Sequence, residues 1–470
     1  MAVQGVTRRR FLKTGAMLVG ASVLGACSAI PTQQPIDQGP AVAATAAPER
    51  EKASEGPLFL IYASQYSGPP LNAGDIELVN LFEEANPDIR IKLAVWPGQD
   101  FHDKLRLLAT AGDLPDAFNI ETKQYLDMVY RDMILDITEL FSANSGLTED
   151  DYWAGEWEKQ WFRGKMYLLS LDTQPAVIFY NKDLFDAKGI PYPPRDWTDT
   201  EWTYEKMIET AGALTEGEGP SRVWGLAWTR FWPYIYPIAW SLGGSIVSDD
   251  RAKSTLTMPE TIAAHQMRAD LELKYRITPT PDQASEGTDL MFNTNRIAMV
   301  ATSSSGAWYY KDVPDLHWDI GVMPGGPAGR FTRCPQDGVA VGSQTKHPTE
   351  AFEVAMFMAG PEGQRIMDNQ LGLGLPTLKS VAEDDSFIHP QVAGLEHLDQ
   401  TLVVDICRGK YYRHQDVTIK WPEMTSLLSA EQDALLSGHI TAEEYCTKMD
   451  PLLTELLQSI PEEWRSWVGD

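Results

Sequence analysis

After residue 56, the pattern of apolar and polar positions predicts strands that alternate with helices. The run LFLIYAS (58–64) predicts a strand, and the apolar spacing of residues 76–82 predicts a helix that Asn86-Pro87 ends. IRIKLAVW (89–96) alternates as a half-buried strand does, and a second helix is expected near 101–111. Strands that alternate with helices in this way predict an α/β fold with a parallel sheet.

Polar segments follow two of these strands. SQYSG (64–68) follows the first strand, and IETKQY (120–125) follows the strand expected within GDLPDAFNI (112–120). Ligands of such sheets bind beyond the carboxyl ends of the strands. Both segments are therefore expected on the same rim of the sheet.

A strand with a polar entry lies in LDTQPAVIFYNKDLFDAKGI (171–190). Residues 176–180 are apolar throughout, as in a core strand, and a helix is expected to begin at Asn181. The preceding Asp-Thr-Gln (172–174) offers three hydrogen-bonding side chains that packing alone does not require. These side chains either stabilise a turn or contact a ligand.

The rest of the chain repeats the pattern. NRIAMVAT (295–302) predicts a strand, HPTEAFEVAMFMAG (347–360) predicts a helix, and the C-terminal third is predicted to be helical. Two capping boxes predict helix starts. They are Thr198 with Glu201, ahead of the apolar stripe Tyr204, Met207, Ile208 and Ala211, and Thr441 with Glu444.

An export signal precedes the fold. TRRRFLKTG (7–15) resembles a twin-arginine signal, and the apolar stretch behind it ends in LGAC (24–27), which resembles a bacterial lipobox. Cys27 is then expected to be lipidated and to become the first mature residue. The apolar stretch is too short for a membrane span, which needs about 20 residues. Residues 27–56, rich in Pro, Ala and Gln, predict an unfolded tether.

The net charge excludes some classes of partner, and the cysteine content limits the possible disulfides and metal sites. The 470 residues include 39 Lys and Arg against 66 Asp and Glu, a formal net charge of −27. Nucleic acids and anionic membrane surfaces would repel such a chain. The cysteines other than Cys27 lack metal-type spacing and allow one disulfide or none: Cys334, Cys407 and Cys446.

Motifs of common enzymes are absent from the sequence. It contains no P-loop, GxGxxG, HExxH, CxxC or GxSxG, and its eight histidines form no i, i+4 pair. Neither a metal nor a cofactor is therefore predicted. A glycosidase needs only two suitably spaced carboxylates, so a secreted carbohydrate-active enzyme remains an alternative.

Several stretches in a fixed order resemble the family 1 extracellular solute-binding proteins, the group that contains maltose-binding protein. The likeness runs from about Pro57 to Gly469. The stretches are GDLPDAF, LDTQPAVIFYNKDLFDAKGI with DWT behind it, WSLGG (240–244), MFNTNRIAMVATSSSGAW (291–308), VMPGGPAGR (322–330) and KHPTEAFEVAMFMAGPEGQ with LGLP behind it.

The resemblance implies a two-lobed, type II periplasmic-binding-protein fold with three crossings between the α/β lobes. It places 57–172 and 338–374 in lobe 1, and 173–337 and 375–470 in lobe 2, behind a signal peptide at 1–26. It also implies a monomeric, non-catalytic receptor, anchored by lipid at the outer face of the cell membrane. This receptor would pass a small solute, a sugar, to a permease of the ATP-binding cassette type.

Ligand contacts follow from the same resemblance. Gln174 stands where maltose-binding protein has a glutamate that touches sugar, and Trp308 follows a turn where the family presents a ring that stacks on sugar. The stretch between Met299 and Trp308 is longer than in maltose-binding protein, and Ile120 replaces an expected aromatic residue, with Tyr125 as a substitute. The implied contacts are Gln65, Tyr66, Glu121, Asp172, Gln174, Trp232, Trp240, Trp308, Asp337 and Trp421.

Alternatives remain for the site and for the ligand. The aromatic residues of WTRFWPYIYPIAWSLGG (228–244) are also typical of a core, and Asp337 would suit the hinge backbone as well as a ligand. A polyamine would match the acidic charge and the aromatic residues. A phosphate ester would require an arginine cluster, and the sequence offers only Arg230 and Arg333 near the expected cleft.

Overall fold

The structure is a computed structural model that describes residues 56–66, 72–96, 98–370, 372, 374–413 and 415–465. The expected signal peptide, Cys27 and the tether up to residue 55 lie outside the described residues. Within the described ranges, no helix is both long and apolar enough to cross a membrane.

Two main sheets organise the described residues. Their strands in chain order are β1 (Leu58–Ser64), β2 (Ile89–Val95), β3 (Ala117–Glu121), β4 (Leu169–Thr173), β5 (Ala176–Asn181), β6 (Ala227–Trp228), β7 (Met299–Ser303), β8 (Trp318–Gly321), β9 (Gln336–Val341) and β10 (Leu375–Pro376). The first sheet has the order β10-β4-β9-β3-β1-β2, and the second has the order β8-β5-β7-β6. Short two-residue pairs join Trp161–Phe162 to Lys165–Met166, Gly325–Gly326 to Gly329–Arg330, and Thr332–Arg333 to Tyr412–Arg413.

Helices cover both sheets. The α-helices span Ala73–Ala85, Gly98–Ala111, Thr122–Tyr130, Thr138–Asn144, Ala154–Glu158, Lys182–Lys188, Tyr204–Leu214, Tyr236–Leu242, Pro259–Leu273, Thr288–Asn293, Ala307–Tyr310, Pro348–Ala359, Pro361–Gln364, Lys379–Ala382, Asp385–Ile388, Thr401–Gly409, Trp421–Ala430, Gln432–Leu436 and Ala442–Gln458. A π-helical turn spans Arg365–Gln370, and 3₁₀ turns span Glu149–Asp151, Gly219–Ser221, Trp232–Ile235, Ser304–Gly306 and Glu462–Trp464.

Each sheet with its helices forms one α/β lobe, which we call the first lobe and the second lobe. In the first lobe β1 is parallel to β2 and to β3, as the alternation of strands and helices predicts. β9 enters antiparallel between β3 and β4, so this sheet is mixed. The chain passes from β4 in the first lobe to β5 in the second through Gln174 and Pro175, and it returns just before β9.

Most predicted elements are confirmed close to their expected bounds. β1 and β2, the helices over 73–85 and 98–111, and the core strand β5 all form where the apolar pattern places them. Asn181 caps the next helix by accepting a hydrogen bond from Leu184 N at 3.1 Å. The capping box of Thr441 and Glu444 is present and begins the helix Ala442–Gln458.

The capping box predicted at Thr198 and Glu201 is wrong. The helix begins at Tyr204, and Thr203 is its N-cap, because the Thr203 side chain accepts from Lys206 N. Asp196 and Asp199 hold the preceding residues in turns, since their carboxylates accept the N–H groups of Thr198 and Glu201 at 2.8 and 2.9 Å. Short Asp side chains compete with a helix for backbone donors in this way.

Candidate ligand-binding site

The carboxyl ends of β1 and β3 bring the two polar segments together. Gln65 N donates to Asn119 Oδ1 at 2.9 Å, which fixes the chain leaving β1 against β3. Glu121, the last residue of β3, lies opposite Asp337 of β9 in the strand register. Tyr66 Oη then donates to Asp337 Oδ2 at 3.2 Å. Four of the predicted contacts therefore lie on one rim of the first lobe.

The Gln174 side chain connects this rim to the second lobe. Its amide nitrogen donates to Asp172 Oδ2 and to Asp337 Oδ2, each at 3.3 Å, and both acceptors belong to the first lobe. Its amide oxygen lies 3.2 Å from Ser305 Oγ, which follows β7 in the second lobe. Because carboxylates accept hydrogen bonds only, the nitrogen is the end of the amide that must face them. Gln174 therefore spans the crossing between the lobes.

The side chains of this group differ in burial. Gln65, Tyr66, Gln174 and Asp337 are each half-buried. Asp172 beneath them is 1% exposed and accepts the backbone N–H of Asp337 at 3.3 Å. The arrangement is a polar depression with an accessible rim and a buried acidic floor.

A further carboxylate, Asp368 of the π-helical turn, completes the floor. It is 1% exposed, and neither of its oxygens has a hydrogen-bond partner in the described part of the chain. The chain passes close to Asp172 here because residue 374 is glycine: a Cβ at Gly374 would lie 2.4 Å from Asp172 Oδ2. We call Asp172, Asp337 and Asp368 the hinge carboxylates.

Burial and mutual repulsion disturb the ionisation of the hinge carboxylates. Burial raises the pKa of Asp172 to about 7, although the hydrogen bond from Gln174 opposes the shift. Burial, followed by the charges of Asp172 and Glu121, raises the pKa of Asp337 well above its usual range. Burial, followed by the charges of Asp172 and Asp337, does the same to the pKa of Asp368. Nearby Asp75, bonded to Ser64 Oγ at 2.5 Å, has its pKa raised by burial to about 7.

Glu121 differs from these acids because a cation lies beside it. Lys123 Nζ is 2.6 Å from Glu121 Oε1, and His102 Nδ1 is 3.9 Å from Glu121 Oε2. Burial would raise the pKa of Glu121, but Lys123 and then His102 lower it. Burial lowers the pKa of His102 to about 4, so this imidazole is neutral near pH 7.

Three predicted tryptophans form a buried aromatic cluster in the second lobe, together with Tyr236. The ring centroids lie 5.4 Å apart for Trp232 and Trp421, 5.6 Å for Trp232 and Tyr236, and 4.9 Å for Tyr236 and Trp240. All four side chains are buried, with Trp421 at 2% exposure. Trp232 Nε1 donates to Thr425 Oγ1 at 3.3 Å. In this structure the rings therefore pack on one another, away from the hinge carboxylates' hydrogen-bond network.

Trp308 has a different environment. It lies in the short helix Ala307–Tyr310, three residues after Ser305, and its side chain is half-buried. Lys311 Nζ lies 4.7 Å from the centre of its ring. A half-buried indole near the crossing is a surface that a sugar ring can reach.

The lobes also approach each other beside Glu121. Lys123 Nζ of the first lobe lies 5.6 Å from the ring of Phe231 in the second lobe, and Phe231 is 38% exposed. Arg333 lies over Phe231 and Tyr234 at 5.8 and 4.8 Å and donates to Gln415. Arg230 is bonded to Glu272 and Asp433. The two arginines therefore do not form the cluster that a phosphate ester would require.

Sequence reasoning missed Asp368, Lys123, Phe231 and Ser305 as members of this region. Lys123 lies within IETKQY, which was assigned to the rim, and Ser305 lies in the turn before Trp308, where the resemblance implies a ligand contact. Asp368 carried no signal, because the residues around it resemble the interior of an amphipathic helix. Its position depends on a π-helical turn that no local pattern predicts.

Neither metal nor disulfide chemistry is supported in the described ranges. No group of three or more His, Cys, Asp or Glu among them could hold a metal ion. Cys334, Cys407 and Cys446 are free and buried. Burial raises the pKa of the Cys334 thiol to about 12, which leaves it unreactive near neutral pH.

Comparison with known families identifies the group to which the chain belongs. Residues 68–365 match the profile of the family described as bacterial extracellular solute-binding protein. The chain belongs to this family. It is a solute-binding protein of an ATP-binding cassette transporter, so its partners are a small solute and a membrane permease.

Relatives agree with this assignment. An uncharacterized lipoprotein of Streptomyces antibioticus is 23% identical over 341 residues, which cover 70% of this solute-binding protein and 73% of the relative. An ABC substrate-binding protein of Listeria monocytogenes in complex with cycloalternan superposes with a TM-score of 0.75 at 22% identity, covering 85% of this chain and 98% of that one. The maltose-bound MalE3 of T. maritima gives a TM-score of 0.71 at 18% identity, covering 85% and 99%. The predicted two-lobed periplasmic-binding-protein fold is confirmed by these structures.

Proposed function

We propose that this solute-binding protein captures a carbohydrate between its two lobes and delivers it, chemically unchanged, to the permease. The observation that carries the proposal is Gln174, whose amide bridges Asp172 and Asp337 of the first lobe and Ser305 of the second. Carboxylates and amides next to aromatic surfaces are the groups that bind sugar hydroxyls and stack on sugar rings.

The same geometry supports closure of the lobes around the ligand. A ligand shifts the equilibrium between open and closed forms only by its preference for one of them. A sugar that bonds to Asp337 on the first lobe and stacks on Trp308 on the second would bind the closed form more tightly. The boundaries near residues 172, 337 and 374 are then the hinge. The implied contacts Gln65, Tyr66, Glu121 and Asp172 complete the site, whereas the implied contacts Trp232, Trp240 and Trp421 are buried and pack on one another instead.

A thermal-shift screen against mono- and oligosaccharides tests the carbohydrate proposal, because ligand that binds only the folded state raises its melting temperature. We expect at least one sugar to stabilise the mature protein and to be recovered intact. Stabilisation by non-sugar solutes alone would contradict the proposal, and steady hydrolysis of a bound oligosaccharide would indicate an enzyme.

We also propose that the mature protein is anchored by lipid on Cys27 at the outer face of the cell membrane. The lipobox LGAC supports this proposal, since lipidation of its cysteine holds an exported protein at the membrane. Changing Cys27 to Ser should release a folded, ligand-binding protein from the membrane fraction. A Cys27→Ser protein that stays with the membranes after a carbonate wash would contradict anchoring at this residue.

A further inference from the structure

The hinge carboxylates lack a positive partner. Within the described ranges, Asp172, Asp337 and Asp368 make no ion pair with Lys, Arg or His, whereas the nearest cations are engaged elsewhere. Lys159 Nζ bonds to both Glu156 oxygens, at 2.8 and 2.9 Å. Lys123 lies on Glu121. The chain therefore leaves a local excess of negative charge at the crossing.

Such an excess is costly to bury. An ionised carboxylate removed from water is stable only when it is paired or hydrogen-bonded, and otherwise it takes up a proton. The donors that the described residues supply to Asp172 and Asp337 are Tyr66 Oη, Gln174 Nε2 and the backbone N–H of Asp337, and all of them are neutral. Neutral donors cannot balance the charge.

Asp368 is an independent indication that a donor from outside the chain belongs here. It is 1% exposed, and Gly374, which follows its π-helical turn, lies against Asp172. The charges of Asp172 and Asp337 raise the pKa of Asp368. Neither of its oxygens has a partner in hydrogen-bond geometry within the described residues. The Gly374 N–H lies near enough to lower the pKa of Asp368, but the opposing effects are larger.

The position of the Gln174 amide shows which donor fits. One nitrogen lies 3.3 Å from an oxygen of Asp172 and 3.3 Å from an oxygen of Asp337. An ammonium group carries three N–H donors and a positive charge, so it can donate to Asp172 and Asp337 together, as the Gln174 nitrogen does. A metal ion fits poorly, because the acids in the described ranges do not converge closely enough to coordinate one. Tyr66 adds an aromatic ring at the rim, and such rings attract cations.

We propose that the solute carries a protonated amine and that Asp172, Asp337 and Asp368 bind it. The inference rests on the proposed carbohydrate function and specifies the ligand class as an amino sugar. The half-buried Asp337 and Tyr66 form the entrance, and the buried Asp172 and Asp368 form the floor of the subsite. The remaining rim groups and Trp308 are left for sugar hydroxyls and the ring face.

Matched sugars that differ only in the amine test this inference. The β-1,4-linked glucosamine disaccharide, its N-acetylated form and cellobiose share one skeleton, and galactosamine with galactose provides a second pair. Spermidine serves as an amine without a sugar. We expect calorimetry near neutral pH to give at least one amino sugar an affinity about 10- to 100-fold above its neutral parent, as charge-assisted hydrogen bonds provide.

Variants connect the preference to the hinge carboxylates. Asp368→Asn keeps the shape of the side chain and should reduce the preference for the amine about tenfold, while neutral sugars bind as before. Asp337→Asn, at a half-buried position, should act in the same direction and serves if Asp368→Asn fails to fold. Asp385→Asn removes a carboxylate whose side chain is 91% exposed, so it controls for net charge and should change nothing.

The outcomes separate the two proposals. Neutral sugars that bind as tightly as their amines would overturn the amine subsite and leave the carbohydrate function standing. Binding of spermidine without binding of any sugar would overturn the carbohydrate function and support the amine subsite. An amine preference that survives both Asp→Asn changes would place the amine elsewhere and contradict the assignment. Failure of every probe to bind would contradict both.

Discussion

Two buried groups of acids in this protein are built in opposite ways. In the second lobe Glu272, whose side chain is 1% exposed, accepts hydrogen bonds from Arg230 at 2.8 Å and from Arg268 at 3.1 Å. Arg268 also donates to Trp228 O at 3.1 Å. At the crossing between the lobes, Asp172 and Asp368 are comparably buried and Asp337 is half-buried, but the described residues supply no cation to these carboxylates.

This difference in charge pairing separates an acid that stabilises the fold from acids that bind a solute. Glu272 is neutralised by arginines of the same chain, so its ion pairs are complete in the folded protein and stabilise the second lobe. Of the hinge carboxylates, Asp172 and Asp337 accept hydrogen bonds from neutral donors of the chain, and the positive partner of the group is the solute that enters the cleft. Buried groups left without partners by their own chain are frequent at functional sites, because function requires the partner to arrive from outside.

Breaking the paired group should have the largest effect. Arg268→Met removes one guanidinium from a buried ion pair and should lower the free energy of unfolding by about 3–5 kcal/mol, as the loss of one buried partner does. Ligand affinity of the folded protein should stay the same. Urea unfolding and calorimetry on the same preparation check both statements. A variant as stable as the wild type would show that Arg230 alone neutralises Glu272.

The free energy of unfolding should depend on pH in a defined direction, because folding raises the pKa values of the hinge carboxylates. The pKa of Asp172 rises from 3.8 to about 7 on folding. Between these values the folded protein holds more protons than the unfolded chain, so the free energy of unfolding falls as pH rises. The charged and titratable groups around the hinge carboxylates are Tyr66, Asp75, Glu121, Lys123, Glu156 and Lys159.

The difference in unfolding free energy between the wild type and Asp368→Asn isolates the pH dependence that Asp368 contributes. Without ligand, the wild type should lose stability relative to Asp368→Asn as pH is raised from about 5 to about 8. Urea midpoints across this range provide the measurement. Urea midpoints that change in parallel with pH for the two proteins would contradict the raised pKa values. A wild type that becomes more stable relative to Asp368→Asn as pH rises would mean that folding lowers the pKa instead of raising it.

The tryptophans allow a comparison of packing with binding. Trp421→Ala empties part of the buried aromatic cluster and should cost about 3–5 kcal/mol of stability. Trp308→Ala changes a half-buried ring and should instead cost about 2 kcal/mol or more of binding, because aromatic anchors dominate such sites. Denaturation midpoint and affinity are measured for each. A collapsed Trp308→Ala protein whose folded fraction binds normally would make Trp308 a core residue.

Gln174→Ala should have the smallest effect. Loss of the bridging amide leaves sugar hydroxyls unpaired and removes one of the two side-chain donors to Asp337. It should weaken binding by about 1–3 kcal/mol, with little change in stability. Gln266→Ala is the matched control, because the Gln266 side chain is exposed and its one hydrogen bond among the described residues is to Asp270. Unchanged affinity in Gln174→Ala would mean that the polar entry to β5 is only a turn.

The local sequence pattern was enough to predict the secondary-structure elements and the polar rim of the first lobe. The apolar run before Ser64, the alternation after Ile89 and the capping box at Thr441 determine short segments through contacts near in sequence, and each forms as expected. The rim followed because parallel strands end at one edge. The helix start at Thr203 was missed because turns made by Asp196 and Asp199 compete with the capping signal.

Long-range pairing could not be predicted. Asp337 meets Asp172 and Glu121 only because β9 inserts antiparallel between β3 and β4. Asp368 reaches them through the π-helical turn and Gly374. No spacing in the sequence encodes either arrangement. The environments of the tryptophans were equally inaccessible, since a ring in a core and a ring in a cleft have the same local pattern.

A solute bound at the crossing is expected to draw the two lobes together. Small-angle scattering of the mature protein, with and without a sugar that the thermal-shift screen has shown to bind, tests it most directly. We expect a smaller radius of gyration in the presence of that sugar and no change for a sugar that does not bind. Scattering curves that coincide with and without a saturating ligand would contradict closure of the lobes around the solute.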